Sequence, residues 1–227
     1  CEVTIDSATD VQGLCLDISP AILAEVMATH QMPSAPYPQQ DYYNFLTSAS
    51  FFEHCYAARH NATGKWLQQT VQRVDVADFE DPLFAASYFY ELAAIVLSDQ
   101  QQIYSGMLAL HSVKESTKKD LMRRLLRGKD LIEDCYTEKL SVAAIAREAT
   151  MSEYYFIRLF KQSFGVSPYK HVLNRRLEMA ANMLRDGTSN IAQIAWKCGF
   201  SDPQAFSKSF RQLYRASPQQ YQQQYCR

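Results

Sequence analysis

The chain writes one short sentence twice, and that repeat limits what it can fold into more than any other feature. From Val142 it reads "VAAIAREATMSEYYFIRLF", and from Ile191 it reads "IAQIAWKCGFSDPQAFSKSF". Val142 matches Ile191, Ile145 matches Ile194, Ala146 matches Ala195 and Ser152 matches Ser201, each 49 residues apart. The second copy then gains one residue. Phe160 matches Phe210, Phe164 matches Tyr214, Ser167 matches Ser217 and Pro168 matches Pro218, each 50 apart. A register held over 27 residues calls for one supersecondary unit used twice.

Each copy has the grammar of a helix, a tight turn and a second helix. The first helix is short, "SVAAIAREA" in copy one, with small residues where another backbone must come close. In copy two the turn carries Gly199, which takes the left-handed backbone without steric cost. Ser152 or Ser201 is then placed to cap the second helix, and Pro203 suits a first helical position. On the second helices, Phe156, Leu159, Phe160 and Phe164 make one buried stripe, and Phe206, Phe210 and Leu213 the other. The remaining faces carry Tyr154, Tyr155, Ile157, Arg158, Lys161 and Gln162 in copy one. In copy two they carry Gln204, Ser207, Lys208, Arg211 and Gln212. This is the layout of a helix-turn-helix, whose second helix reads bases from the major groove. Tyr154 and Arg158 share a face, as do Gln204 and Lys208; Arg pairs bidentately with guanine and Gln with adenine.

Between the copies, "SPYKHVLNRRLEMAANMLRDG" reads as one helix over 168–185, capped by Ser167, begun by Pro168 and ended by Gly187. Its apolar stripe is Leu173, Leu177, Ala180, Ala181 and Leu184. Such a helix is about 27 Å long at 1.5 Å per residue. It can space two readers by about one turn of DNA, roughly 34 Å. The fold expected is therefore mainly α: a C-terminal double helix-turn-helix domain joined by a long central helix, preceded by a helical domain with a short N-terminal β-hairpin.

Charge divides the chain in the same place. Residues 1–113 hold 3 basic against 13 acidic residues, while 114–227 hold 20 basic against 11 acidic. A net −10 beside a net +9 points to two domains, one of them facing a polyanion. The sequence places an N-terminal domain over 1–113, a boundary segment over 114–128 and a DNA-binding domain over 129–227. Within the last, the two helix-turn-helix units span 141–164 and 190–214. The N-terminal domain reads as a hairpin at 2–18 and helices between 20 and 98. These helices start at Pro20, run from Tyr42 to about Ala58 and from Lys65 to about Val76, and begin again at Pro82. The last carries Phe84, Tyr88, Leu92, Ile95 and Val96 on one stripe, which suits a core or a homodimer seam over 82–98. Ser116 or Thr117 is placed to cap the helix that leads into the basic half, with Leu121, Leu125, Ile132 and Cys135 on one face.

Other chemistries find little support. Six scattered cysteines without a CxxC pair fit single thiols in a reducing cytoplasm. No apolar run is long enough to span a membrane. His54, Cys55 and His60 are the nearest approach to a metal set, and neither a metal nor a cofactor is expected. Asp75, Asp78, Glu80 and Asp81 suggest an enzyme domain tethered to DNA, but acids just before Pro82 more simply serve the dipole of the next helix. A non-specific architectural DNA binder is the other alternative. The chain opens on Cys1 without an initiator Met and inside a strand-like run, "CEVTI", which reads as a fragment of a longer protein.

From Lys129 to Tyr221 the sequence closely resembles the AraC/XylS-type DNA-binding domain of bacterial transcription regulators. The resemblance rests on "LSVAAIA", the run from Ser152 to Pro168, "RRLEMAANML", "IAWKCGFSDPQAFSKSFR" and the closing Ser217–Tyr221. Carried over by position, it implies base contacts from Tyr154, Tyr155, Ile157 and Arg158 in the first reader and from Pro203, Gln204, Ser207 and Lys208 in the second. Lys161 and Arg211, with Gln162 and Gln212 beside them, become the phosphate-contacting residues. It further implies a cytoplasmic activator that recruits RNA polymerase, dimerises through N-terminal helices and, in the full-length protein, answers a small-molecule effector. "VQGLCLDIS" before "PAILAEVM" resembles the last strand of the barrel that precedes those helices. Two departures stand out. Thr150 occupies the first turn where the family has Gly, and must adopt a left-handed backbone or reshape the turn. Ile157 cannot hydrogen-bond a base, and would meet a thymine methyl or pack.

Overall fold

The computed structural model describes residues 18–29, 37–47, 61–71, 81–111, 114–187 and 189–225. The hairpin expected over 2–18 lies outside these, as do His54, Cys55, His60, Asp75, Asp78 and Glu80. Among the described residues all regular structure is helical. The chain divides into two compact units, Cys1–Gln102 and Ile103–Arg227, and the division falls inside a helix rather than in the 114–128 segment.

The first unit holds α1 (Pro20–Thr29), α2 (Gln39–Thr47), α3 (Ala62–Val71) and most of α4 (Pro82–Leu108). Leu23, Val26 and Met27 of α1 and Tyr42, Phe45 and Leu46 of α2 are buried. The Tyr42 hydroxyl donates to the Leu97 carbonyl at 2.6 Å. Thr63 donates both its backbone N–H and its hydroxyl to Asp99 Oδ2, at 2.8 and 2.6 Å. Trp66 lies against Tyr88 with ring centroids 4.5 Å apart. Of the expected α4 stripe, Tyr88 and Leu92 are buried within this unit; Phe84, Ile95 and Val96 are half-buried. α4 runs ten residues past Ser98, because the polar run Asp99–Gln102 continues the helix rather than ending it.

The second unit begins in the last turns of α4, where Ile103, Tyr104 and Met107 are buried, as is Leu110 just past its end. Then come α5 (Glu115–Cys135), α6 (Val142–Glu148), α7 (Glu153–Phe164), α8 (Pro168–Asp186), α9 (Ile191–Lys197), α10 (Pro203–Tyr214) and α11 (Pro218–Tyr225). α5 starts earlier than Ser116 or Thr117 would allow, with Lys114 at the cap position and no side-chain cap. Its Leu121, Leu125 and Ile132 are buried as expected, and Cys135 is half-buried.

α8 is the common wall of both copies. Leu177, Ala180, Ala181 and Leu184 are fully buried and share one cluster with Ile194, Ala195, Cys198, Phe206 and Phe210. Leu173 is only partly buried against that cluster. Near its start, α8 sets His171 edge-on to Phe160, with centroids 5.7 Å apart. The ring pairs repeat between copies: Phe156 with Phe160 at 5.3 Å, and Phe206 with Phe210 at 5.6 Å. All four rings are fully buried, each worth about 1.5–3 kcal/mol of hydrophobic stabilisation. Leu213, expected as the third buried position of α10, is 39 % exposed. Tyr214 takes that place, stacking on Phe210 at 4.5 Å and meeting Tyr221 of α11 at 5.3 Å.

Two polar ties fix α8 to α5. Buried Glu133 accepts from Arg175 Nε at 2.6 Å and faces His171 Nε2 at 2.8 Å, while Arg175 also pairs with Glu178. The next residue, Arg176, donates to the backbone carbonyls of Tyr136 and Glu138, which follow the end of α5.

Candidate nucleic-acid interface

The second helices of both copies, α7 and α10, are delivered by the same turn. In copy one the Thr150 N–H bonds the Arg147 carbonyl and the Met151 N–H bonds the Ala146 carbonyl, each at 2.9 Å. In copy two Gly199 bonds Trp196 at 2.9 Å and Phe200 bonds Ala195 at 3.0 Å. This double closure needs a left-handed residue just past the helix. Thr150 takes it at φ 52 and Gly199 at φ 81. Thr150 thus adopts the left-handed backbone instead of reshaping the turn, at a cost of about 1 kcal/mol. Thr150→Gly is therefore expected to raise the unfolding free energy by about 1 kcal/mol, read as a higher urea midpoint at constant slope.

The residue gained by copy two sits at Ser201, ahead of the second helix. Asp202, not Ser201, is the cap of α10, its carboxylate accepting from the Gln204 and Ala205 N–H groups at 3.0 Å each. Its counterpart Ser152 occupies the cap position of α7, but its hydroxyl makes no capping bond. Past these caps the readers correspond at an offset of 50, so Tyr154 answers to Gln204, Arg158 to Lys208 and Lys161 to Arg211.

On α7, Tyr154 is 78 % exposed. Arg158 and Lys161 are exposed, while Tyr155 and Ile157 are half-buried. The Arg158 guanidinium lies over the Tyr155 ring, 5.3 Å from its centroid, which holds the fork against an aromatic plane. Gln162 stands apart. It is half-buried, and its amide donates to the Ala109 carbonyl at 2.8 Å, so it ties α7 to the residues after α4. On α10, Gln204, Lys208, Arg211 and Gln212 are exposed. Pro203 and Ser207 are half-buried, and the Ser207 hydroxyl donates back to the Pro203 carbonyl at 2.9 Å.

The charge on these faces is one-sided. Glu153 is the one acid on α7, in its first turn, and α10 carries none, its capping Asp202 being bound to backbone N–H groups. The arrangement suits a polyanion: cations along an exposed helix face, amides and a hydroxyl between them, with acids confined to the N-terminal ends of the two helices. Cys198 is fully buried against Phe206 and Phe210 of α10, and burial pushes its thiol up to about 11. Its role is packing. Among the described residues no group of three His, Cys, Asp or Glu is placed to hold a metal ion, and no helix is long and apolar enough to cross a membrane.

Two features of this surface leave no plain mark in the sequence. Asp202 is displaced by one residue from the serine that the repeat suggests. Arg215 ends α10 at φ 60, where copy one has Gly165 at φ 75. An arginine in a left-handed conformation costs about 1–2 kcal/mol more than a glycine there.

Residues 145–224 match a helix-turn-helix domain family. The probable transcriptional regulator LumQ of Photobacterium leiognathi is 37 % identical over 170 residues, covering 69 % of this chain and 68 % of its own length. The transcriptional activator RhaS of Escherichia coli O139:H28 is 33 % identical over 92 residues, 40 % of this chain and 33 % of its own length. Among solved structures, an AraC-type transcriptional regulator from Chromobacterium violaceum is 33 % identical, with a TM-score of 0.43. That match covers 45 % of this chain and 91 % of the other. The chain belongs to the AraC-type helix-turn-helix transcriptional regulators.

Proposed function

We propose that this regulator reads two successive major-groove segments on one face of a duplex, one with α7 and one with α10. The observation that supports it most is the correspondence of exposed faces: Tyr154, Arg158 and Lys161 recur as Gln204, Lys208 and Arg211, on helices built against the two ends of α8. In this reading Tyr154, Tyr155, Ile157 and Arg158 meet base edges in one segment, and Pro203, Gln204, Ser207 and Lys208 in the next. Lys161, Arg211 and Gln212 contact phosphates. Gln162, bound to Ala109, reaches phosphate only by giving up that bond.

The regulator acts as an activator next to RNA polymerase in the cytoplasm. The likeness to RhaS, itself named an activator, supports that direction. Homodimerisation through the 82–98 segment of α4 is supported by Leu83, which is 81 % exposed. An effector would act through the N-terminal unit.

Arg158→Ala and Lys208→Ala are each expected to weaken binding to a selected duplex by about 1–3 kcal/mol and to relax base preference in the segment each reads. Selection from a random duplex pool, followed by gel shift of both variants, checks this. Equal affinity of the wild type for selected and random duplexes would instead make the protein an architectural binder. An unchanged affinity in both variants would remove the assigned contacts.

A further inference from the structure

The two copies close their readers with the same backbone and different side chains. Gly165 N–H bonds the Lys161 carbonyl at 2.9 Å, and Arg215 N–H bonds the Arg211 carbonyl at 3.0 Å. At Gly165 a Cβ would meet nothing within 4 Å, so this corner has room for a side chain. In copy two the room is filled by an arginine that strains the turn it ends. Stability of the turn favours glycine, so the arginine has some other use.

Its surroundings indicate the use. Arg215 lines a groove of about 730 Å³ together with Ser207, Lys208, Arg211, Gln212 and Ser217. Three cations, two hydroxyls and an amide line it, and no carboxylate does. None of the three cations is ion-paired among the described residues. The Ser217 hydroxyl is occupied in accepting from the Gln220 N–H, so the charged groups define what the groove takes. A guanidinium fork on such a wall matches the oxygens of a phosphodiester.

We propose that Arg215, with Arg211, anchors a backbone phosphate of the duplex where the second reader ends, and that the strained turn is kept for that contact. The inference rests on the DNA-binding reading given above and adds a contact that the first copy, with Gly165, cannot make. Phosphate anchoring is indifferent to sequence, so it has a signature unlike that of a base contact.

The test uses the full chain, its Arg215→Gly and Arg215→Lys variants, and Arg158→Ala. Each is titrated against a random 30-base-pair duplex pool and against the duplex selected from that pool, over a range of salt. Arg215→Gly is expected to melt higher than wild type yet bind both duplexes about five- to tenfold more weakly. Its slope of log K against log salt should be shallower by about 0.9, one phosphate's worth. Arg215→Lys is expected to keep the wild-type slope. If Arg215→Gly binds both duplexes as the wild type does, with an unchanged slope, the anchor is refuted, while a loss in Arg158→Ala alone leaves the reader assignment standing. If the wild type binds neither duplex, the DNA-binding reading and this inference fail together.

Discussion

Gly199→Ala is expected to cost about 3 kcal/mol or more and to loosen the second half of the DNA-binding unit. Two penalties act together. The residue sits at φ 81, where any L side chain is strained by about 1–2 kcal/mol. A Cβ built there would also lie 2.8 Å from the carbonyl carbon of Thr137 and closer still to its oxygen. That neighbour is backbone following α5 and cannot rotate away, so the turn must shift, at a further cost of about 1–3 kcal/mol. Gly165→Ala isolates the first penalty, since its φ is 75 and the space around it is empty. Urea unfolding of both variants gives the difference directly. Equal losses would mean that the approach of Thr137 to this turn is not a packing constraint.

Glu133→Ala is expected to cost about 3–5 kcal/mol, because it leaves Arg175 and His171 facing a vacated, half-buried site. Glu133 has a side chain only 7 % exposed. Burial pushes its carboxyl up, but the His171 hydrogen bond and the Arg175 charge outweigh that, and the net direction is down from 4.5. A depressed acid contributes stability that is complete above its unfolded value and is lost as pH falls through the folded one. Acid sensitivity from this tie therefore appears below about pH 4.5. Asp130, one turn earlier on α5, works in the opposite sense. Burial raises it from 3.8 to about 6, so its contribution improves as pH falls across that interval. Denaturant unfolding between pH 3 and 7 is expected to show the acid-side loss in wild type and not in Glu133→Gln. Parallel curves for the two would show that the tie carries no net charge linkage.

The repeat made most of the C-terminal half legible. Its offset located α7 and α10, and the spacing of Leu177, Ala180, Ala181 and Leu184 located α8. What it could not convey was position along the extra residue: Ser152 and Ser201 look equivalent, but the cap belongs to Asp202, one step later. Leu213 sits three residues after Phe210, a spacing that continues the stripe. The aromatic stack of Phe210, Tyr214 and Tyr221 decides otherwise, and it depends on α11, whose glutamine-rich sequence carries little apolar pattern. The partner of Gln162 lies 53 residues away, beyond the reach of any local rule. The left-handed backbone of Arg215 was hidden because no glycine marks it. In the N-terminal half, polar residues 98–102 masked the continuation of α4.

The stiffness of α8 has a consequence for the DNA itself. Nineteen residues make a rod of about 28 Å, short of the roughly 34 Å pitch of the double helix. Wedged by hydrophobic side chains along one flank and moored to α5 by Glu133 and Arg176, it has no joint at which to lengthen. Were α7 and α10 both seated in successive segments, as proposed, the duplex would be the compliant member and would curve toward the protein. The base pairs between the two proposed segments would then influence affinity through their own flexure: pliant pyrimidine–purine steps there would favour the complex, and rigid A-tracts would oppose it.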